Sequence, residues 1–141
     1  MQNNIRIKIV GIFRRSKEVL LVIGEDKIKK KRFYYPPGGG VEFGESSSDA
    51  LRREIREELN VQIKNEKLLG VLENRFEYNG EKQHEIVFVF GADFSDKALY
   101  NQSSIEIQES NNKFNAEWVD LNNAKYPIFP EGIINLVQHK R

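Results

Sequence analysis

The chain of 141 residues contains no cysteine. Disulfides, thiolate zinc sites and a cysteine nucleophile are excluded together, and the composition fits a reducing compartment. Histidine is nearly as scarce, with only His84 and His139, so a histidine-rich metal cage is excluded too. Any metal must be held by carboxylates and other oxygens, which suit hard cations such as Mg²⁺, Mn²⁺ or Ca²⁺. Long apolar runs are missing. The longest, Val19 to Ile23 and Ile86 to Phe90, fall far short of the ~20 residues a helix needs to cross a bilayer. The opening MQNNIRIKIV has no apolar signal core, and a cytoplasmic protein is the expectation. Neither sign of charge dominates. The formal net charge of +1 creates no global field that calls for nucleic acid or an anionic membrane.

What remains reads as one α/β domain over residues 1–141, with no repeat and no linker. Ile5, Ile7 and Ile9 alternate with Arg6 and Lys8, the period of a strand, which continues through Val10 to Phe13. A turn at residues 14–17 leads to a second strand, Val19 to Ile23. Residues 26–32 read as a basic loop. The glycine- and proline-rich stretch YYPPGGGVEFGES cannot be regular helix and reads as a structured loop. A helix follows, with Ser46 as its cap, Asp49 to Leu59 as its body, and Asn60 at its end, where a left-handed residue is often needed. Residues 63–76 and 83–94 read as long strands joined through Tyr78-Asn79-Gly80, an Asn-Gly hairpin signal. A short strand over 114–119 and a last helix over 131–138, opened by Pro130, complete the order.

The central helix carries the chemistry. Leu51, Ile55 and Leu59 fall at i, i+4 and i+8 and form an apolar stripe for the sheet. Glu54, Glu57 and Glu58 fall at i, i+3 and i+4 on a neighbouring face. Arg52 and Arg56 point to solvent, and Arg53 lies one turn before Glu57. Three crowded carboxylates repel one another, and a divalent cation relieves that repulsion. Such an ion polarises a phosphoryl oxygen and acidifies bound water, which suits phosphoryl transfer. A helix rich in Glu and Arg is by itself ordinarily a solvated face. What sets this one apart is its fixed distance from the glycine loop.

Gly39, five residues, Glu45, seven residues, and then Arg53-Glu54-Ile55-Arg56-Glu57-Glu58-Leu59-Asn60-Val61 resemble the signature of the Nudix hydrolase family, G-x5-E-x7-R-E-U-x-E-E-x-G-U, with U aliphatic. Asn60 replaces the signature's last glycine, and every other specified position matches. At about 7% usage per residue type, the six matched Gly, Glu and Arg positions coincide about once in ten million starts. Pro37 to Gly40 and Trp118 to Leu121 resemble the family's entry loop and late strand, and Tyr126 to Leu136 resembles its closing helix.

The resemblance implies an α/β/α sandwich with a mixed sheet. It implies a Mg²⁺-dependent hydrolase, with Mn²⁺ as a substitute, that cleaves a phosphoanhydride bond of a nucleoside triphosphate or nucleoside diphosphate derivative. Glu57 and Glu58 would ligate metal, joined by the Gly38 carbonyl. Glu54 would be a further ligand or the general base, and Arg53 would orient Glu45 or Glu57. A late-loop acid completes the metal shell in many members; Glu109 is the choice here, with Glu106 and Glu117 as rivals. Gly39, Gly40, Arg32 and His84 are candidate substrate contacts, the first two because glycine admits backbone close to phosphates, Arg32 as the end of a basic run. Tyr34, Tyr35, Phe76 and Tyr78 could stack on a base, although strand aromatics are more often core. Many relatives form homodimers. Two other readings stand beside the enzyme on small nucleotides: a non-catalytic Nudix-fold module that binds a nucleotide or protein, and a hydrolase of RNA 5′ ends, for which the basic run is the one hint.

Overall fold

The computed structural model of the chain describes residues 3–108 and 115–139. Among them the strands are β1 (Ile5–Ile12), β2 (Arg14–Arg15), β3 (Glu18–Asp26), β4 (Lys31–Tyr35), β5 (Gly38–Gly40), β6 (Ile63–Tyr78), β7 (Glu81–Phe94), β8 (Ser104–Ile105) and β9 (Ala116–Asp120), the α-helices are α1 (Ser47–Leu59) and α2 (Ile133–His139), and a short 3-10 helix spans Lys97–Asn101. No helix among the described residues is long and apolar enough to cross a membrane. One sheet has the order β5-β1-β7-β6; the other runs β2-β3-β9-β8, with β4 also on β3. β1 and β7 are parallel while the remaining pairs are antiparallel, so the first sheet is mixed.

Alternation along the central strands builds two cores. Ile9, Leu20, Val22 and Phe90 join Leu51, Ile55 and Leu59 of α1 on one side. Val10, Leu21, Val87 and Val89 join Ile133 and Val137 of α2 on the other. Successive side chains of a strand point to opposite faces, so neighbouring residues feed different cores. The result is the expected α/β/α layering. The apolar stripe of α1 is fully covered, with Leu51 and Ile55 completely buried; each contributes roughly 1.5–3 kcal/mol of hydrophobic burial.

Four readings of the sequence change. β1 stops at Ile12, and two-residue β2 follows, before β3. The basic loop is shorter than expected, because β3 runs on to Asp26 and β4 begins at Lys31 to form a hairpin. The triple glycine is a strand, paired with β1 from Val10↔Gly38 to Lys8↔Gly40. The last helix starts at Ile133, since Gly132 has φ +90 and cannot be helical. The β6–β7 hairpin is as expected, with Asn79 and Gly80 both at positive φ, the geometry of a type I′ turn.

The polarity of β1 is also inverted over its first half. Ile5 and Ile7 are 59% and 41% exposed, whereas Lys8 reaches a buried carboxylate, Glu85, at 3.3 Å. Only Ile9 of the three isoleucines joins a core.

Candidate active site

The site starts with a well-terminated helix. Ser46 accepts the Asp49 N–H at 3.1 Å, satisfying one of the free donors of the first turn. Asn60 adopts the left-handed conformation, and its N–H donates to the Arg56 carbonyl. Between these ends the helical spacing brings Glu54, Glu57 and Glu58 alongside β5, the edge strand of the mixed sheet.

The glycines of β5 let backbone and helix meet. The Gly38 N–H donates to Glu58 Oε1 at 2.9 Å, and Glu58 is 5% exposed. A Cβ on Gly39 would overlap the Glu54 carboxylate, so any larger residue there must displace it. The Gly40 carbonyl accepts Arg53 Nη2 at 2.9 Å.

Arg53 is the hub. It forks onto Glu45 through Nε at 2.7 Å and Nη2 at 3.0 Å, a bidentate pair of the strong kind. Its Nη1 donates to Glu54 at 2.9 Å and to Glu57 at 3.3 Å. The hydrogen bond to Glu45 raises the guanidinium pKa further, and the same bond holds the Glu45 carboxyl below the usual range. Both sequence-expected partners, Glu45 and Glu57, are engaged at once. The Glu57 side chain remains 58% exposed.

Carboxylate and carbonyl oxygens alone form this donor set, so the chemistry fits a hard divalent cation. Glu54, Glu57, Glu58 and the Gly38 carbonyl are the groups able to hold one. Among the described residues no three acidic or histidine side chains converge on one point as they stand. Arg53 and the Gly38 N–H occupy the carboxylates instead.

Glu109 lies outside the described residues. The chain leading to it is placed, however: the Gln108 N–H donates to the Glu58 carbonyl at 2.7 Å, at the end of α1. Of its rivals, Glu106 is exposed. Glu117 accepts the Tyr34 hydroxyl at 2.8 Å on the face turned away from α1. Burial first, and then Glu117, push the Tyr34 phenol up.

The remaining candidates sit elsewhere. Arg32 lies on β4 with Nη1 3.5 Å from the Tyr126 hydroxyl. His84 lies on β7 with Nε2 2.8 Å from Glu73 Oε2. Of the candidate stacking residues, Tyr34 is core, whereas Tyr35 and Tyr78 flank Phe33, their ring centroids 5.7 Å and 5.8 Å from its own. The basic run is tied to the β6–β7 tip: the Lys27 N–H donates to Asn79 Oδ1 at 2.7 Å, the Asn79 N–H to Asp26 Oδ2 at 3.2 Å, and the Tyr78 hydroxyl to the Glu25 carbonyl at 3.3 Å. Asp26 accepts three backbone N–H groups in all, from Ile28, Lys29 and Asn79, and the bond from Lys29 is the main reason its pKa is lowered. Sequence reasoning missed this lock between two hairpins, and it missed the Lys8–Glu85 pair. Strand periodicity set Lys8 only on the face opposite the isoleucines, and no local signal linked it to a residue far along the chain.

Comparison with known proteins bears on the family and the fold. The family model for the NUDIX domain matches residues 3–139. The human protein 8-oxo-dGDP phosphatase NUDT18 is 32% identical over 73 residues, which are 52% of this chain and 23% of that protein; the chain thus matches less than a quarter of that relative's length. Among solved structures, a MutT NUDIX hydrolase from Burkholderia pseudomallei superposes with a TM-score of 0.70 at 24% identity, covering 96% of this chain and 98% of that one. A NUDIX-family hydrolase from Clostridium perfringens gives 0.66 at 18% identity, covering 96% and 95%. At these identities the structural likeness speaks to the fold.

Proposed function

Because the chain belongs to the Nudix hydrolase family, we propose that it is a divalent-metal-dependent pyrophosphohydrolase acting on a nucleoside triphosphate or nucleoside diphosphate derivative. The observation that carries this reading is the Arg53 hub, which holds Glu45, Glu54 and Glu57 together against the Gly40 carbonyl. Three carboxylates share one guanidinium there, with Glu58 beside them, and the net negative charge that remains is what a divalent cation would neutralise.

Mg²⁺, or Mn²⁺ in its place, would be held by Glu54, Glu57, Glu58 and the Gly38 carbonyl, with Glu109 as a further ligand; when bound it polarises the phosphoryl oxygens and acidifies water. Arg53 fixes the carboxylate rotamers before substrate arrives, which is the positioning that phosphoryl transfer chiefly needs. Glu54 or Glu57 accepts the proton of the attacking water at a carboxylate oxygen. The water oxygen bonds to one phosphorus as the bridging oxygen leaves with the other phosphate. Gly39 and Gly40 present backbone to the diphosphate, and Arg32 and His84 are proposed substrate contacts that need ligand-induced approach. A cytoplasmic enzyme is part of this reading, because nucleotides of this kind are abundant there.

The test is release of phosphate and pyrophosphate from a panel of nucleoside di- and triphosphates, nucleoside diphosphate derivatives and triphosphorylated RNA, with and without Mg²⁺. The activity of the human relative makes 8-oxo-dGDP one member of that panel. Metal-dependent turnover of a small nucleotide is expected. Turnover of RNA alone would shift the substrate to the RNA 5′ end. No turnover of any member with Mg²⁺ or Mn²⁺ present would reject the enzyme reading in favour of a binding module.

A further inference from the structure

On the face of the mixed sheet turned away from α1, three polar residues form a row across three strands. Glu85 of β7 stands opposite Asn74 of β6 and bonds diagonally to Lys8 of β1, Nζ to Oε2 at 3.3 Å. All three belong to one face, because paired residues of neighbouring strands point the same way. Glu85 and Asn74 are 6% and 9% exposed. Buried polar groups are ordinarily satisfied. Among the described residues Lys8 is the one partner of the Glu85 carboxylate, which can accept about four hydrogen bonds. Among the described residues Trp118 Nε1 is the one fully buried side-chain nitrogen or oxygen without a partner, so the Asn74 amide is not a sealed orphan, and its polar atoms are available to a ligand.

The space beside the Lys8 end of this row is open. Gly40 is paired directly with Lys8, so its Cβ direction is that of the lysine, and an added Cβ there would meet nothing within 4 Å. The row therefore opens towards the same glycine strand that borders Glu54 and Glu58. Glu85 is two strands from Gly40, about 10 Å across the sheet, which is within reach of a nucleoside whose phosphates lie at β5.

We infer that Lys8, Glu85 and Asn74 read the hydrogen-bonding edge of the nucleobase and select guanine; this rests on the nucleotide hydrolase reading above. Guanine offers an acceptor, O6, next to two donors, N1–H and N2–H. Lys8 donates to O6, as lysine does in other guanine contacts, and the two carboxylate oxygens of Glu85 take the two N–H groups as a parallel pair. Asn74 accepts the second N2–H. Adenine and cytosine offer one amino group beside a ring nitrogen lone pair, and uracil sets a carbonyl on each side of N3–H. Each of these turns a lone pair towards one Glu85 oxygen. A site built on hydrogen bonds discriminates strongly against such analogues, because its buried groups are left unpaired.

The experiment compares kcat/KM for GTP, ATP, CTP and UTP in the wild type, Glu85→Gln and Asn74→Leu, with melting curves to show that each variant folds. The wild type is expected to prefer GTP by at least about tenfold, and Glu85→Gln to shrink that preference by about tenfold or more; Asn74→Leu should shrink it less. A wild type without guanine preference overturns the inference. So does an equal fall for all four nucleotides, which would mark a structural role, or a preference unchanged in both variants. Calorimetric binding of GDP and ADP separates this inference from the catalytic reading, since it needs no turnover. If nothing is hydrolysed but GDP binds more tightly than ADP and Glu85→Gln removes the difference, the base reader stands and the hydrolase reading falls. Equal binding of the two overturns the base reader whatever the turnover.

Discussion

Glu58 and Glu85 are both carboxylates at about 5% exposure, yet their surroundings prepare them for different partners. Glu58 sits on α1 among like charges, with Glu54 and Glu57 sharing Arg53 beside it, and it is fixed by the backbone N–H of Gly38. Glu85 sits on a strand away from that cluster and is fixed by a single flexible lysine. Crowding favours a ligand of high positive charge, because such a ligand relieves repulsion as well as accepting lone pairs. Isolation favours neutral N–H donors, because the net charge is already balanced by Lys8 and only hydrogen-bonding capacity is left over. The charge of the neighbours therefore decides what kind of ligand each carboxylate takes, more than burial does.

The comparison breaks most sharply at Glu58. Glu58→Ala removes a proposed metal ligand and orphans the Gly38 N–H; kcat/KM should fall by about a hundredfold or more, and the unsatisfied donor should cost about 1–3 kcal/mol in a urea titration. Retained activity would show that the crowded carboxylates do not serve a cation. At Glu85 the largest effect should come from its partner. Lys8→Met leaves a buried carboxylate unpaired and should destabilise by about 3 kcal/mol, whereas Lys8→Met with Glu85→Met should recover most of that loss. A double variant no more stable than the single one would mean that Glu85 is not held by Lys8 alone.

Smaller effects sharpen the crowded side. Gly39→Ala places a methyl group against the Glu54 carboxylate, a flexible group that can swing aside. Activity should drop by about tenfold, equivalent to about 1.4 kcal/mol, with the melting temperature barely moved. Gly38→Ala meets the backbone of Ile9 and Val10 instead, and should show as lost stability in the same melts. The smallest effect is the acid dependence of the hub. Arg53 lowers the folded-state pKa of Glu45, so its stabilisation is present above the unfolded value of about 4.3 and is lost as pH falls through the lower folded value. Glu45→Gln should accordingly lose less stability than the wild type when melts are taken from neutral pH down to about pH 3. An identical acid slope in the two proteins would remove the hub from the account.

The two regions also differ in how far they could be read in advance. α1 was legible in full: Ser46, the Leu51–Ile55–Leu59 stripe, the acidic face and Asn60 all follow from offsets of one to eight residues, which a helix converts into fixed geometry. The Asn-Gly hairpin was legible for the same local reason. The glycine strand was not, because three glycines carry no strand propensity and β5 exists through pairing with β1. Nor was the face of β1. Alternation shows that Ile5 and Lys8 point oppositely, but which side is covered depends on how far α1 extends over the sheet. Glu117 was a fair rival for Glu109 on spacing alone, and only its placement against Tyr34 turns it away from the helix.

By itself, then, the sequence determined the acidic helix, its terminators and the family signature, because these depend on residues a few positions apart whose relation the backbone enforces. The tertiary structure alone decided that Arg53 reaches the Gly40 carbonyl across thirteen residues, and that Lys8 meets Glu85 across most of a domain. Such contacts arise from sheet order and register, and these are settled by the burial of whole faces rather than by any local pattern.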